Sequence, residues 1–440
     1  MRTKIVVAGF LALLTAFWGW DALIAHTPGG QWPWSLRLQA LYLTGVWSIG
    51  FMSLAMILAT RPAWLETPLG GLDKLYRLHK WIGIIAIGSG AAHWLIKQAG
   101  GPLKSLFGSA GKPPKDAVLF FMQPARDLAE GMGEWALYIM LGMLVITLWK
   151  WFPYKPWRYL HKIMPVLYLL LVFHVLALMP FIYWQGPTGW ITAALLAAGT
   201  ASSVLSLTQR IGRRRSHQGH IVSVQQTGNV LEVVCDPGPT WRGHQAGQFA
   251  LLTFDAVEGA HPFTIASAPK TSGPITFQIK ALGDYTRKLP YRLAQGREVK
   301  IEGPYGRMNY RNGRKSAEQI WIAGGIGVTP FIAWLEDMQT RPSDRAVSLH
   351  YSVRDAANDP LTSRLRELSD KLDNVTLTIH DDAQGTRLDV DELLRSFQQR
   401  GKKLDVWFCG PAGFGQSIRA RIKALSLRST RWHQEVFSFR

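Results

Sequence analysis

Acid is scarce in this chain. Asp and Glu number 30 against 49 Lys and Arg, a formal charge of +19 over 440 residues. Such an excess admits nucleic acid as a partner. No basic stripe interleaved with aromatics accompanies it, so that class is set aside. Cysteine is scarcer still. Cys235 and Cys409 stand far apart with no C-x-x-C, which argues against a disulfide framework or a cysteine zinc site. Also lacking is any grouping of carboxylates, His and nucleophiles that reads as general acid–base machinery. Charge is thin through residues 1–209, where apolar runs dominate, whereas residues 210–440 mix polar and apolar positions as a soluble α/β protein does.

Six spans are legible in the apolar half: Ile5–Trp20, Leu38–Thr60, Leu78–Ile96, Trp135–Trp149, Tyr159–Trp184 and Thr188–Gln209. Their lengths suit a hydrocarbon core of about 30 Å. Most of the 19 Trp lie before residue 200, as aromatic belts at a bilayer interface require. The first span resembles a signal peptide, but no A-x-A site follows, so it is retained as a span. Lys and Arg cluster at 61–80, at 150–162 and at Arg210–Arg215. Placing these clusters inside leaves both termini in the cytoplasm. Much of the basic excess then sits beside the membrane, where it suits anionic lipid. The basic 97–130 connection is the exception, falling outside despite Lys97, Lys104, Lys112, Lys115 and Arg126.

Four histidines on two of these spans organise the rest. His79 and His93 are 14 residues apart, and His161 and His174 are 13 apart. At 1.5 Å per residue each pair spans about 20 Å of helix. Fourteen steps return the first pair to within about 40° of one azimuth, so one helix offers two imidazoles to a neighbour. Laid alongside, His79 faces His161 and His93 faces His174, and two facing imidazoles suit a six-coordinate haem iron. The 13-residue spacing turns His174 by about 140° on a straight helix, and Pro165 is expected to distort the helix enough to re-aim it. Ionisable groups within a membrane are costly and seldom idle.

In the soluble half, His220–Val224 alternates, turns at Thr227-Gly-Asn and returns through Val230–Val234, which opens an antiparallel barrel. His261-Pro262-Phe263-Thr264 leads to Ser267, and Lys280, Tyr285 and Thr286 follow closely. On residues alone this is an edge strand or a surface for a flat heteroaromatic ring. Lys280 offers charge for phosphate and Tyr285 a stacking face. From residue 319 a buried strand runs into Gly324-Gly325-Ile326-Gly327-Val328-Thr329-Pro330 and a helix. That turn suits either a plain strand–helix connection or a pyrophosphate on the helix N-terminus. Arg354 closes the next strand, where a cation suits a 2′-phosphate and a solvated surface residue is the alternative. Cys409-Gly410-Pro411 ends a third strand, and the chain closes on Glu435-Val436-Phe437.

Together the His pairs, H-P-F-T, G-D-Y-T, G-x-G-V-T-P and C-G-P resemble, in order and from about residue 38 onward, the ferric reductase/NADPH oxidase family. The resemblance implies a multidomain membrane protein: a six-helix transmembrane bundle, an antiparallel β-barrel FAD domain and an α/β nucleotide-binding domain. The boundaries expected are 1–209 for the di-haem membrane domain, 210–218 for a linker, 219–314 for the FAD domain and 315–440 for the NADPH domain. It implies two b-type haems on His79, His93, His161 and His174. It implies FAD contacts at His261, Pro262, Phe263, Thr264, Ser267, Lys280, Tyr285 and Thr286, and NADPH contacts at Gly325, Gly327, Thr329, Pro330, Arg354, Cys409, Gly410 and Pro411. Phe437, with Cys409, is expected beside the reacting ring, Phe437 covering one of its faces. The activity implied is electron transfer from cytoplasmic NADPH across the cell membrane to O₂, giving superoxide, or to a ferric chelate. A subunit donating to quinone or a partner protein is a third reading, and a flavin reductase with an inert membrane anchor a fourth. The chain looks like a compact prokaryotic member without EF-hands. Some oxidases carry a further His one turn past the outer ligand. Lys97 stands there instead, and Lys97 or Arg37 is the candidate to hold an anion.

Overall fold

The computed structural model describes residues 2–24, 31–109, 111–114, 116–149, 151–270, 272–401, 403–427 and 429–435. The described residues divide into two compact units, one up to Ile211 and one from Gly212 onward.

The first unit is helical. Its long helices are α1 (Arg2–Ile24), α2 (Trp32–Ala59), α3 (Leu72–Gln98), α4 (Arg126–Leu148), α5 (Met164–Leu178) and α6 (Pro187–Leu207). Five segments are long and apolar enough to cross a membrane: those containing α1, α2, α4, α5 and α6. The sixth long helix, α3, falls short because Gly83, Gly88, Ser89, Gly90 and His93 dilute its apolar stretch, which Lys80 and Lys97 bound on either side. α2 packs along α3 and α6, and α4 packs along α5. α1 belongs to the bundle. Its buried Asp21 accepts the Thr188 N–H at 2.8 Å, so a carboxylate supplied by the first span holds an unpaired donor at the start of α6. Trp20, Trp32, Trp64, Trp81, Trp135, Trp151 and Trp190 are exposed on this unit, a surface suited to lipid and its headgroups rather than to water.

One expectation is corrected here. Pro165 does not bend a continuous helix. A short helix, Tyr154–His161, ends at Lys162, and α5 starts afresh with Pro165 in its first turn. Proline has no N–H to donate and a φ already set for helix, so it is most at ease where a helix begins. His161 thus closes one helix and His174 sits within the next. The restart supplies the rotation that a straight helix denies.

The second unit holds two sheets. The first is six-stranded and antiparallel: β1 (Ser216–Thr227), β2 (Val230–Asp236), β3 (Phe249–Thr253), β4 (His261–Thr264), β5 (Ile275–Lys280) and β6 (Glu298–Tyr305), in the order β4-β3-β6-β1-β2-β5. Its edge strands approach each other through a single bridge, Ile265 with Phe277. The strands expected as an antiparallel barrel form one six-stranded antiparallel sheet whose two edges meet at this bridge. β1 starts at Ser216, inside the stretch read as linker, because Ser216–His220 already pair with Glu298–Glu302 of β6. Its core gathers Ile221, Val233, Leu252, Ile265, Phe277 and Ile301.

The second sheet is parallel: β7 (Ala317–Gly324), β8 (Val347–Val353), β9 (Val375–Asp381), β10 (Lys403–Cys409) and β11 (Thr430–Gln434), in the order β11-β10-β7-β8-β9. Helices α7 (Thr329–Thr340), α8 (Pro360–Ser369), α9 (Val390–Gln399) and α10 (Ala412–Ala424) connect these strands. Two apolar cores cover it: Trp321, Phe331, Trp334 and Leu349 belong to one, Ile320, Ile322, Leu394 and Phe408 to the other. β7 and β10 are almost wholly buried, which is why they read as unbroken apolar runs.

Candidate functional site

The two histidine pairs meet as the spacing predicts. His79 and His161 have ring centroids 6.3 Å apart at 77°, and His93 and His174 have theirs 6.4 Å apart at 79°. Three rings are fixed in the same way. The Nδ1 of His79 meets the Ala55 carbonyl at 3.0 Å, that of His93 meets Leu41 at 2.8 Å, and that of His174 meets Ala129 at 2.8 Å. A carbonyl is only an acceptor, so Nδ1 carries the proton and Nε2 keeps its lone pair.

The carbonyls are reachable for a local reason. A helical side chain lies back over the turn N-terminal to its own Cα, so residue i+4 shields the carbonyl of residue i. Here the i+4 residues are Ala59, Gly45 and Gly133, all small. A Cβ at Gly133 would lie 2.1 Å from His174 Nδ1, and one at Gly45 would lie 3.2 Å from His93 Nδ1. Ala55 and Leu41 are 14 residues apart on α2, as His79 and His93 are on α3, so one antiparallel register makes both contacts. These small residues had a readable signal, a small side chain four positions after each acceptor, but glycine is too common in membrane helices to stand out.

Lys97 and Arg37 are otherwise engaged. The Lys97 ammonium lies 2.8 Å from Glu130 and 3.3 Å from Glu134. Glu134 also accepts from Trp94 at 2.9 Å and from Tyr138 at 2.6 Å. Arg37 donates to the Ile96 and Lys97 carbonyls, closing the C-terminus of α3. Both cations serve the bundle, and neither is held in reserve for an anion.

In the antiparallel sheet, His261, Pro262, Phe263 and Thr264 form the edge strand β4. The His261 ring stacks on Tyr285 at 4.0 Å and 16°, which brings the two motifs together and covers one face of Tyr285. The Tyr285 hydroxyl is buried without a hydrogen-bond partner among the described residues. Burial first, then Glu258 and Asp255, pushes its pKa up to about 12, so it stays a neutral donor. Thr286 Oγ1 accepts from the Leu282 and Gly283 N–H groups, and Ser267 Oγ accepts from Thr276. These two hydroxyls are already engaged by backbone.

In the parallel sheet the chain order reverses between β7 and β10, the place where open α/β sheets bind ligands at their strand ends. Ala323 pairs with Cys409 there, so the two loops leave side by side. A Cβ at Gly327 would lie 2.3 Å from the Cys409 carbonyl, and Gly410 faces Gly324 in the same way. Thr329 and Pro330 open α7 directly behind. Gly325 has φ 54°, which glycine adopts freely, and a Cβ there would be 3.8 Å from Lys280 Nζ. The expected phosphate lysine and the glycine turn are therefore neighbours. Arg354 follows β8, exposed, and its guanidinium makes no hydrogen bond or ion pair among the described residues. Cys409 is buried, and burial, aided by Glu435, raises its thiol pKa, so it is an uncharged neighbour and no nucleophile. Pro411 precedes α10. Phe437 lies outside the described residues. Among the described residues no group of three or more His, Cys, Asp or Glu is arranged as a metal site.

Three known families match consecutive stretches of the chain. Residues 44–172 match the ferric reductase like transmembrane component, 218–309 an FAD-binding domain, and 321–420 an oxidoreductase NAD-binding domain. The chain joins a ferric-reductase-like transmembrane component to an FAD-binding and an NAD-binding domain, the combination that its resemblance to the ferric reductase/NADPH oxidase family implies. It is 25% identical over 235 residues to respiratory burst oxidase homolog protein E of Arabidopsis thaliana, covering 47% of this chain and 24% of that one. It is 28% identical over 208 residues to homolog protein A of Solanum tuberosum, 41% of this chain and 21% of that one. The reductase component of propane 2-monooxygenase from Gordonia sp. is 28% identical over 178 residues, 38% of this chain and 51% of that one. The chain spans about half or less of the length of these relatives.

Proposed function

We propose that this protein carries electrons from NADPH through FAD and two b-type haems across a six-span bundle to a one-electron acceptor on the far side. O₂, giving superoxide, is the acceptor we favour. The observation that carries this reading is the pair of facing imidazole couples. A metal–imidazole bond of about 2.0 Å, with ring atoms about 1.15 Å from the ring centre for bonds near 1.33 Å, puts two ligand centroids about 6.3 Å apart. The couples stand at 6.3 and 6.4 Å. Three carbonyl bonds hold Nδ1–H and leave Nε2 for iron, the usual arrangement of a ligating imidazole. A two-ligand couple suits haem, whose porphyrin supplies the remaining four donors.

When bound, FAD would supply hydride chemistry toward NADPH and haem would supply one-electron transfer. The chain's own residues do the rest. Gly325, Gly327 and the start of α7 offer backbone donors to a pyrophosphate, and Lys280 adds charge beside them. Arg354 selects a 2′-phosphate. Thr264, Lys280, Tyr285 and the H-P-F segment seat the flavin. His79 and His161 hold the inner iron and His93 and His174 the outer one, about 21 Å further along α3. The apolar helices exclude water and protons from the path. Both termini and the soluble unit lie in the cytoplasm, on the positive-inside rule.

A ferric chelate is the second acceptor, kept because the transmembrane match is to a ferric-reductase-like component. The test is purified full-length protein reduced anaerobically by NADPH, then pulsed with O₂ or with ferric citrate. Dye reduction sensitive to superoxide dismutase supports the oxidase. Re-oxidation by ferric citrate alone supports the reductase. Reduced protein that neither acceptor re-oxidises overturns both, and points to a subunit serving quinone or a protein partner.

A further inference from the structure

The two couples look equivalent in sequence but are fixed differently. His79, His93 and His174 are each tied through Nδ1 to a backbone carbonyl. The Nδ1 of His161 is buried and has no hydrogen-bond partner among the described residues. Its ring instead stacks on Trp157, one turn earlier on the same helix, at 5.1 Å and 25°. Trp157 is itself anchored, its Nε1–H donating to Thr147 Oγ1 of α4 at 2.9 Å. The Thr147 hydroxyl in turn donates a hydrogen bond to the Met143 carbonyl at 2.7 Å. The Tyr154 ring also lies against Trp157, at 5.4 Å and tilted by 36°. An imidazole without a bond at Nδ1 is free to turn about its own axis, and an indole plane against it removes that freedom. The geometry points to Trp157, held by Thr147, as the positioning residue for His161, in the role that backbone carbonyls play for the other three ligands. This rests on the haem reading above.

The two couples then answer differently to perturbation. A carbonyl bond at Nδ1 makes an imidazole a stronger donor and fixes its plane. At His161 the plane depends on the indole alone. Full-length protein loaded with haem is examined by redox titration and by ferric EPR, with His93→Ala used to assign which signal belongs to which couple. Trp157→Leu removes the flat surface and Trp157→Phe restores one. We expect Trp157→Leu to shift the EPR signal and midpoint of the inner haem, or to lose that haem, while the outer signal and the flavin content stay as in wild type. Trp157→Phe should return the inner signal. Should the Leu variant not accumulate, Thr147→Val keeps the indole, removes its anchor and is read in the same way. An inner signal and midpoint unchanged in Trp157→Leu, or in Thr147→Val, overturn the assignment. Wild-type protein without haem would instead overturn the reading beneath it.

Discussion

Replacing Gly133 with Ala adds one methyl group to α4, and the structure says where it goes. The new Cβ would sit 2.1 Å from His174 Nδ1, 2.6 Å from Cε1 and 2.8 Å from Cγ. An ordinary contact begins near 3.4 Å, so the ring must retreat by about 1.3 Å. The Nδ1 bond to Ala129, 2.8 Å long, does not survive such a shift. Nor does a 6.4 Å separation matched to two bonds of about 2.0 Å. Overpacking costs about 1–3 kcal/mol, enough at the upper end to lower outer-haem occupancy about 100-fold, since each 1.4 kcal/mol is tenfold. The controls lie on the same helix. Nothing lies within 4 Å of a Cβ at Gly131 or Gly142. Alanine there should be neutral or should stabilise the helix by up to about 1 kcal/mol. Haem per chain is read by pyridine haemochrome on purified protein. We expect one haem in Gly133→Ala and two in both controls. Two haems with an unaltered spectrum in Gly133→Ala would mean that His174 does not face iron as described.

Other outcomes follow from the same geometry. His93→Ala or His174→Ala should remove one haem and transmembrane transfer while NADPH-to-flavin reduction, followed anaerobically, persists. Arg354→Ala should raise the KM for NADPH about 10-fold or more and leave that for NADH nearly unchanged, since a hydrogen bond to a charged group is worth about 1.5–3 kcal/mol; equal changes in the two values would remove Arg354 from the 2′-phosphate. Gly327→Ala drives a methyl group to 2.3 Å from the Cys409 carbonyl, a backbone atom that cannot step aside. Melting of the soluble unit should fall, and flavin reduction by NADPH should fall with it. His350 is buried, and burial, with His380 beside it, lowers its pKa to about 4. The unfolded chain binds that proton near pH 6.5 and the folded one does not, so stability falls as pH drops from about 6.5 towards 4, by roughly 3 kcal/mol at most. His350→Gln should flatten that limb of the melting curve.

The histidine couples were legible because a 14-residue interval constrains azimuth as well as depth, and the strand-turn-helix at Ile320–Thr329 because its apolar run and glycines sit in fixed order. What escaped depends on partners distant in sequence. Lys97 reads as a free cation until Glu130 and Glu134, on α4, are seen to hold it. Pro165 reads as a kink because periodicity cannot tell a bent helix from two helices joined end to end. The meeting of Gly327 with Cys409 needs the strand order β10-β7, which the chain order conceals. Trp157 was hidden among the interfacial aromatics, its tie to Thr147 visible only once the short helix lies against α4.

The most direct measurement is the absorption spectrum of full-length protein expressed with ample haem, with haem and protein quantified on one sample and NADPH then added without oxygen. The proposed electron path predicts two b-type haems per chain, both reduced by NADPH. A preparation that binds flavin and oxidises NADPH yet shows no Soret band would contradict a haem path between α3 and α5.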